Sequence, residues 1–487
     1  MKVEFIPEPA LEFGGENRHV DIRFGLMHHG PIDVDTPTRP SQINVGIVGS
    51  SESIEGFSRW LESCKAGVPA KTSKQPNLFP RFPGCDKDTG LRAELLTPVN
   101  LQATLNSKEL SKLARLPSLQ AKAEAAVEML YSAMKTLTET YPQMSVIVCA
   151  VPLELVNAIE EAATEGEEAD TEEDAREEGG SLKYDYRDML KARMMELRKP
   201  IQIIRPGTYD KEKRKAQKTR PDRMQTTQDE ATIAWNLHTA LYYKAGGVPW
   251  RLLRDSTALT ACYVGVSFYS ALDKGSIRTS IAQVFNERGE GVIVRGGAAR
   301  ISQIDKTPHL SGEDAESLLK TALQRYRDIH KTLPARVVMH KSSYFDDDEL
   351  RGFQAALESL SVNDADFMSL SSSHVKLSRV GDYPPLRGTL LSLAPHDLVL
   401  YTKGSVEFFQ TWPGMHVPSP KRVRIASANE TPRFLAQEIL ALSKMNWNNT
   451  QFDGSEPITL RAARQVSKVL RYCPENQLPE IRYSFYM

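Results

Sequence analysis

The sequence predicts an α/β protein with two or three domains, and three observations indicate this class. Short apolar runs rich in β-branched residues alternate with helical stretches along the chain. The 487 residues are more than one hydrophobic core usually holds. Apolar residues make up 40% of the chain, which is enough to fill those cores. This alternating order favours parallel strands joined by helical crossovers.

The overall composition argues against several classes of protein. The 61 Lys and Arg residues nearly balance the 62 Asp and Glu residues, so any functional charge must be local. The five cysteines are widely spaced, without a CxxC or Cys/His pattern, which argues against a disulfide framework or a zinc site and favours a reducing, cytoplasmic location. We expect neither a signal peptide nor a membrane span, because no basic region precedes an apolar run and no uncharged apolar stretch of about 18 residues occurs.

The first half of the chain contains two strands separated by helices. Residues 43–50 (INVGIVGS) and 144–152 (MSVIVCAVP) have the composition of buried strands. Residues 107–141 between them are predicted to be helical, with an interruption at Pro117. This part of the chain therefore predicts a parallel sheet with helical crossovers.

Two charged segments follow. Residues 160–180 are almost wholly acidic and polar and cannot bury enough apolar surface, so we interpret them as a solvated loop. Residues 209–225 form a basic insertion with seven Lys and Arg residues. That insertion suits either a patch that contacts phosphates or a solvated basic loop.

The order of elements changes after residue 259. Three strand candidates precede a helical stretch at residues 312–333, namely VGVSFYS, TSIAQVFN and EGVIVRG. A fourth, ARVVMHK, follows it. A group of antiparallel strands followed by a helix and another strand resembles the layered sheet of the ribonuclease H type.

A candidate anion site begins at residue 184. If residues 184–197 form a helix, Arg187 and Lys191 project from the same face, because they are four residues apart. Pro200 ends the helix, and the polar Gln202 is unexpected among the isoleucines of the following strand. Guanidinium, ammonium and amide groups all donate to phosphate oxygens. The alternative is an ordinary amphipathic helix with surface cations.

A fourth donor is predicted further along the chain. Lys244 ends a helical stretch, and Gly246 and Gly247 then allow a sharp turn. The lysine is either a C-terminal cap of that helix or another donor to the same anion.

Together these segments resemble the MID domain of Argonaute proteins, which binds the 5′-phosphate of a guide strand. The similar run is YRDMLKARMM…PIQII…WNLHTALYYKAGGVPW, and the matching positions are Arg187, Lys191, Gln202 and Lys244. Family members usually have Tyr or His at the first position, so Arg187 is a departure that keeps a donor. The resemblance also implies that the carboxylate of Met487, the last residue, helps to hold Mg²⁺ at the guide phosphate. The alternative for this end of the chain is a simple terminal strand.

The resemblance extends over nearly the whole chain. Segments near the N-terminus (PEPALEFGGENRHVDIRFGLMHHGP and PRFPGC) and residues 440–470 are similar to short prokaryotic Argonautes. It implies a small N-terminal α/β region and a Rossmann-like MID domain in residues 1–255, followed by an RNase H-like PIWI domain in residues 256–487. There is no room for the N and PAZ domains of long Argonautes.

The positions that hold catalytic acids in active PIWI domains lack them here. Strand cleavage on this fold needs clustered carboxylates that hold two metal ions about 4 Å apart. The matching positions are Ser267 and Ser342, and the last position falls around Ala463 or Arg464. The acidic run 346–349 fits an N-terminal cap of the next helix better than a replacement ligand set. The resemblance therefore implies binding without cleavage, and the alternative is a nuclease with displaced carboxylates.

Nucleic acid and a partner protein complete the prediction. Candidate backbone contacts are Lys421, Arg422, Arg424, Arg433 and Arg461, although a solvated edge strand also explains the first group. The resemblance implies a guide RNA, a target DNA and a separately encoded partner that joins an APAZ region to a TIR, Sir2-like or nuclease effector. Target binding would activate this effector, typically after oligomerisation, in defence against phages or plasmids. A plain nucleotide-binding α/β enzyme is a third hypothesis, but no Walker loop or helix-opening GxGxxG supports it.

Overall fold

The computed structural model describes residues 1–164, 184–218, 228–253, 260–272, 277–285, 291–380, 384–412, 414, 417–451, 454–474 and 480–487. Most of the predicted acidic loop and the C-terminal part of the basic insertion lie outside these residues. No helix in the described part of the chain is long and apolar enough to cross a membrane.

The first half of the chain forms three short strands and a helix, followed by alternating helices and strands. In chain order these are β1 (Lys2–Phe5), β2 (Leu11–Phe13), β3 (Asn17–His19), α1 (Ile22–His29), β4 (Gln42–Gly49), α2 (Ser51–Lys65), β5 (Glu94–Leu96), β6 (Gln102–Thr104), α3 (Ser107–Leu113), α4 (Leu119–Thr140), β7 (Val146–Ala150), α5 (Leu153–Thr164), α6 (Tyr186–Met194), β8 (Ile201–Ile204), α7 (Pro206–Tyr209), α8 (Lys211–Lys218), α9 (Glu230–Lys244) and β9 (Arg251–Leu252).

The second half begins with a run of strands. Its elements are β10 (Ala261–Ser270), β11 (Ile277–Phe285), β12 (Gly291–Ile301), β13 (Pro308–His309), α10 (Gly312–His330), β14 (Arg336–Lys341), α11 (Asp347–Ser359), β15 (Asp364–Ser372), β16 (Thr389–Ala394), β17 (Asp397–Leu400), β18 (Lys421–Ser427), α12 (Pro432–Leu442) and α13 (Ile458–Leu470).

Strands β4 to β8 form a parallel sheet. The order is β5-β4-β7-β8, and β6 also pairs with β4. Every residue of β7 is buried, as expected for a strand covered on both faces. The predicted strands at 43–50 and 144–152 are confirmed, and the predicted helical stretch at 107–141 is divided near Pro117 into α3 and α4. This sheet is the Rossmann-like layer that the sequence predicts.

A ten-stranded sheet dominates the second half, in the order β1-β16-β17-β18-β15-β14-β10-β11-β12-β13. Strands β10, β14 and β15 are parallel, and β11 and β12 extend the sheet antiparallel beside β10. Helix α13 packs so closely on β10 that a Cβ atom at Gly265 would lie 2.0 Å from the carbonyl oxygen of Thr459. The predicted RNase H-like arrangement is confirmed.

The N-terminal strand joins the sheet of the second half, which the sequence did not predict. Strand β1 pairs antiparallel with β16, while β2 and β3 form a three-stranded sheet with β9. Glu8 contacts Arg387 Nε at 2.8 Å and Lys444 Nζ at 3.2 Å. The start of the chain is therefore fixed to both halves, and the division at residues 255 and 256 stays a prediction.

Candidate phosphate-binding cleft

A helix and a strand position the first candidate donors. Asp185 caps α6 by accepting a hydrogen bond from Arg187 N at 2.9 Å. The helix tightens into a 3₁₀ turn and ends at Arg198, whose φ of 49° is left-handed. Pro200 cannot continue a helix, and β8 follows directly. The predicted helix-to-strand unit is confirmed.

One cleft of about 680 Å³, which we name the Gln202 cleft, brings several predicted residues together. Its lining includes Arg187, Lys191, Gln202, Arg461 and Met487. These residues come from α6, β8, α13 and the end of the chain, so the cleft forms only in the folded molecule.

Lys244 lies buried behind this cleft and connects its walls. Its Nζ donates to Gln202 Oε1 at 2.7 Å, to the carbonyl oxygen of Ile201 at 2.9 Å and to the main-chain oxygen of Met487 at 3.2 Å. Lys191 Nζ donates to the carbonyl oxygen of Tyr486 at 3.3 Å. The four positions named from the sequence, together with Met487, therefore belong to one connected arrangement.

Burial and repulsion by neighbouring cations disfavour the charged forms of Lys191 and Lys244 when no anionic ligand is bound. Burial lowers the pKa of Lys244 well below its ordinary value, and the charge of Lys191 lowers it further. Burial also lowers the pKa of Lys191, although the nearby Asp188 carboxylate opposes this shift. A negative ligand would offset both effects, because it favours the charged form of each lysine.

Arg187 is fixed by its neighbour Asp185. Its Nε and Nη2 atoms contact the two carboxylate oxygens of Asp185 at 3.0 and 2.6 Å. Burial alone would raise the pKa of Asp185, but the Arg187 guanidinium holds it below its usual range. About 42% of the Arg187 side chain stays exposed. The guanidinium is thus oriented by Asp185 while it lines the cleft.

The cleft also has an amide-rich wall that the sequence analysis missed. This wall consists of Gln228, Asn236, Asn446, Asn448 and Asn449. Asn236 Oδ1 accepts from both the main-chain N and the hydroxyl of Thr450 at 2.9 Å, which links α9 to the loop before α13. The asparagines of the NWNN stretch were the available signal.

The end of the chain forms a 3₁₀ turn at Tyr483–Phe485, so the alternative of a terminal strand is wrong. Tyr486 and Met487 are buried. Their main-chain oxygens accept from Lys191 and Lys244, and these contacts fix the chain end against the first sheet.

The two positions matched to catalytic acids lie side by side. Val266 and Lys341 are paired in adjacent parallel strands, and Ser267 and Ser342 follow them. Ser267 is buried, with its Oγ 3.0 Å from Ser467 Oγ on α13. Ser467 lies one turn beyond Ala463, so it is the residue of α13 that meets Ser267. Arg464 instead contacts Glu456 at 3.0 Å.

The acidic run 346–349 caps α11. Asp346 and Glu349 form a reciprocal capping box. Among the described residues, one group of His, Asp and Glu side chains has the spacing of a metal site, namely His309, Asp346 and Glu349, with ligand atoms within 4.8 Å of one another. The ammonium group of Lys341 already contacts Glu349 Oε2 at 2.5 Å. This cluster therefore contains a cation of its own.

The remaining candidate backbone contacts are spread over the second half. Lys421 is buried, with its Nζ 3.4 Å from Glu456 Oε1, and Arg422 forms a two-point ion pair with Asp397. Arg424 stacks on the ring of Tyr344 at 4.2 Å. Arg433 lies near the carbonyl oxygen of Phe5, on the β1 side of the sheet. Of these five residues, Arg461 lines the Gln202 cleft, and the nucleic-acid contacts of all five stay predictions.

Comparison with known proteins gives a structural match. No protein-family model matches the chain, and no curated protein does. Similar solved structures are Clostridium butyricum Argonaute bound to a guide DNA and a 19-mer target DNA, Drosophila Piwi, and Aa-Ago with externally bound siRNA. Their TM-scores are 0.64, 0.61 and 0.57, at sequence identities of 14%, 12% and 12%.

Each match covers 99% of this chain but only 54% to 56% of the other, so the chain spans about half the length of these proteins. At these identities the likeness establishes the fold. The chain therefore has an Argonaute/Piwi-type fold, with a parallel MID-like sheet and an RNase H-like PIWI sheet.

Proposed function

We propose that this protein binds the 5′-phosphorylated end of a guide strand in the Gln202 cleft and pairs that strand with a complementary target. The observation that carries the proposal is the convergence of Arg187, Lys191, Gln202 and Met487 at a single cleft, with Lys244 buried behind it and bonded to Gln202 and Met487. Charge-assisted hydrogen bonds from such donors are the strong ones for phosphate. Pairing then supplies sequence recognition, and the protein contacts the backbone.

A bound Mg²⁺ is part of this proposal. Mg²⁺ is coordinated by carboxylate and phosphate oxygens and keeps several water ligands. The oxygens of Met487 and of the phosphate are therefore suitable ligands. Met487 would hold the ion, whose role is to neutralise phosphate charge.

We further propose that the protein binds its target without cutting it. Serines occupy the two matched positions, Ser267 in β10 and Ser342 directly after β14, and the Oγ of Ser267 lies 3.0 Å from that of Ser467. A hydroxyl does not replace a carboxylate as a charged ligand for a hard metal ion. Target capture would then activate a separately encoded APAZ-effector partner of the TIR, Sir2-like or nuclease type in cytoplasmic defence against invading DNA, with assembly into a higher oligomer.

One observation favours a second function, cleavage by displaced carboxylates. His309, Asp346 and Glu349 are close enough to bind a metal ion. Incubation of the guide-loaded protein with a complementary target and Mg²⁺ or Mn²⁺ separates the two hypotheses. An intact target supports recognition without cleavage, whereas metal-dependent cleavage that is lost in Asp346→Ala supports the nuclease.

The direct test is the identity of the bound nucleic acid. The chain is expressed with its genomic neighbour, the complex is purified, and co-purifying strands are sequenced. We expect short 5′-phosphorylated strands, RNA if the resemblance holds, that are lost in the Lys191→Ala plus Lys244→Ala variant. An Arg59→Ala plus Lys65→Ala variant, which removes two cations of α2 outside the cleft, is the matched control. Equal recovery from all three proteins would contradict the proposal.

A further inference from the structure

A second cleft, of about 640 Å³, lies on the other side of Lys244. We name it the Asp33 cleft. Its walls come from residues 32–39, the starts of β7 and β8, the turn after α9 and the segment before the chain end. We propose that this cleft binds a small phosphorylated ligand, of the size of a nucleoside diphosphate, at a site separate from the guide phosphate.

The first argument is the charge of the walls. Five cationic side chains besides Lys244 line the cleft, and Asp33 is the one carboxylate among its described lining residues. The cations are Arg39, Arg198, Lys199, Arg251 and Arg482. Asp33 is occupied by the protein, because it accepts from Tyr242 OH at 2.6 Å and from Val248 N at 2.8 Å.

The cations differ in how far the protein neutralises them. Arg251 forms a two-point pair with Glu12, and Arg482 contacts Glu480. Lys199 instead donates to two main-chain carbonyl oxygens at 2.6 Å, and Arg39 donates to one at 2.6 Å while its charge also acts on the Asp33 carboxylate. A carbonyl satisfies a hydrogen bond but removes no net charge, so the cleft keeps an excess of positive charge that favours an anion.

The cations also act on one another. Burial lowers the pKa of Lys199, and the charge of Arg482 lowers it further. Arg198 is exposed and has a left-handed backbone conformation, at the end of the turn after α6 and directly before Lys199. A phosphate between these side chains would relieve the repulsion and accept their hydrogen bonds.

The size of the cleft selects the class of ligand. Pockets of roughly 300–1,000 Å³ are typical of small-molecule sites. Gly246 lines the cleft, and a Cβ atom built on it would meet no atom within 4 Å, so this wall is open to a ligand. The volume suits a mononucleotide or an inorganic polyphosphate better than a duplex, and both share the phosphate chemistry on which the proposal depends.

Lys244 connects this site to the Gln202 cleft. It lines the Asp33 cleft, while its Nζ contacts Gln202 and Met487, which line the other. An anion in the Asp33 cleft would therefore favour the charged form of the lysine that faces both sites. This coupling rests on the proposed guide binding, but ligand binding in the Asp33 cleft does not.

The test is isothermal titration calorimetry, which measures the affinity of the full chain for two probes, inorganic pyrophosphate and ADP. We expect at least one to bind, and an Arg198→Gln plus Arg482→Gln variant to lose about tenfold in affinity because charge-assisted hydrogen bonds are removed. Arg59→Gln, which removes a cation elsewhere, should leave the affinity unchanged. Lys191→Ala, whose side chain lines the Gln202 cleft and not the Asp33 cleft, should lower it less than the double variant does. ADP binding more tightly than pyrophosphate would identify a nucleotide ligand, and equal affinity an inorganic one.

Two results would overturn the proposal. One is the absence of binding by either probe. The other is binding that depends on Lys191 but not on Arg198 and Arg482, because the probe would then occupy the Gln202 cleft. Neither result depends on whether guide strands co-purify with the protein, so the two proposals can fail independently.

Discussion

Lys244 holds its ammonium group 2.7 Å from the amide oxygen of Gln202 and 3.2 Å from the main-chain oxygen of Met487, in a buried position. We predict that Lys244→Met costs about 2–5 kcal/mol of binding free energy for a 5′-phosphorylated strand, as is typical when one partner of a buried charge pair is removed. The measurement compares dissociation constants for 5′-phosphorylated and 5′-hydroxyl strands. Lys244→Met should raise the dissociation constant of the 5′-phosphorylated strand and leave that of the 5′-hydroxyl strand nearly unchanged.

Lys444→Met is the matched control for this prediction. Lys444 is another buried lysine, which donates to the carbonyl oxygens of Pro9 and Val20. Its removal should lower stability but preserve the preference for a 5′-phosphate. If both variants lost this preference equally, the effect of Lys244→Met would be a general consequence of removing a buried lysine.

The lowered pKa of Lys244 also predicts a proton uptake. Its pKa in the folded protein lies well below the ordinary value of 10.5, so Lys244 holds its proton less tightly in the free folded protein than in the unfolded chain. Its contribution to stability therefore rises with pH up to about 10.5. A bound phosphate favours the charged form, so binding should take up protons and weaken as the pH rises. Calorimetric titration at pH 8 in two buffers with different ionisation enthalpies measures this uptake.

At pH 8 a phosphate monoester has already lost its second proton, with a pKa of about 6. Protons taken up on binding at this pH are therefore bound by the protein and not by the phosphate. This uptake should be smaller in Lys244→Met than in the unmodified protein. A binding enthalpy that is independent of the buffer would contradict the prediction.

At the scale of elements, the contact between α13 and β10 determines where Arg461 and Ser467 lie. A Cβ atom at Gly265 would approach main-chain atoms of Thr459 to 2.0 and 2.4 Å, and these atoms cannot move without the helix. We predict that Gly265→Ala lowers the free energy of unfolding by about 1–3 kcal/mol. It should also weaken strand binding, because α13 carries Arg461 into the Gln202 cleft. Urea unfolding and strand affinity are the measurements.

Gly56→Ala provides the comparison. Gly56 lies in α2, and the nearest atom to an added Cβ is 2.9 Å away, on the partly buried ring of Tyr209 rather than on the main chain. Alanine is favoured over glycine inside a helix by up to about 1 kcal/mol, which offsets a small shift of this ring, so the change should cost much less than Gly265→Ala. A similar loss in both variants would mean that the close packing of α13 on β10 is not the cause.

The same scale explains what the sequence could predict. The unit from Tyr186 to Ile204 was predictable because helix period, a proline and a β-branched run are local signals. The pairing of β1 with β16 was not, because it joins residues nearly 390 positions apart and no local pattern specifies the partner. The Asp33 cleft was missed for the same reason, since its cations are scattered from Arg39 to Arg482.

At the scale of the whole molecule, Glu8 joins the start of the chain to the second half, and Lys444 extends this contact to the connection between the halves. Glu8 lies between Arg387 and Lys444, and Lys444 also donates to main-chain oxygens of the N-terminal segment. The carbonyl oxygen of Lys444 accepts from Trp250 Nε1 at 3.2 Å, at the connection between the two halves. These contacts couple the N-terminal segment, the connection and the second sheet in one network.

We predict that Glu8→Ala lowers the free energy of unfolding by about 3 kcal/mol, because it removes a carboxylate that two buried cations share. Unfolding should remain a single cooperative transition, shifted to lower denaturant, when it is followed by tryptophan fluorescence and by circular dichroism, since the network joins Trp250, the N-terminal segment and the second sheet. Glu4→Ala, which removes a half-buried carboxylate of the same segment that contacts Lys2 and Arg433, should shift the transition much less. If Glu8→Ala instead gave two separate transitions, the halves would unfold independently and the N-terminal segment would be attached to only one of them.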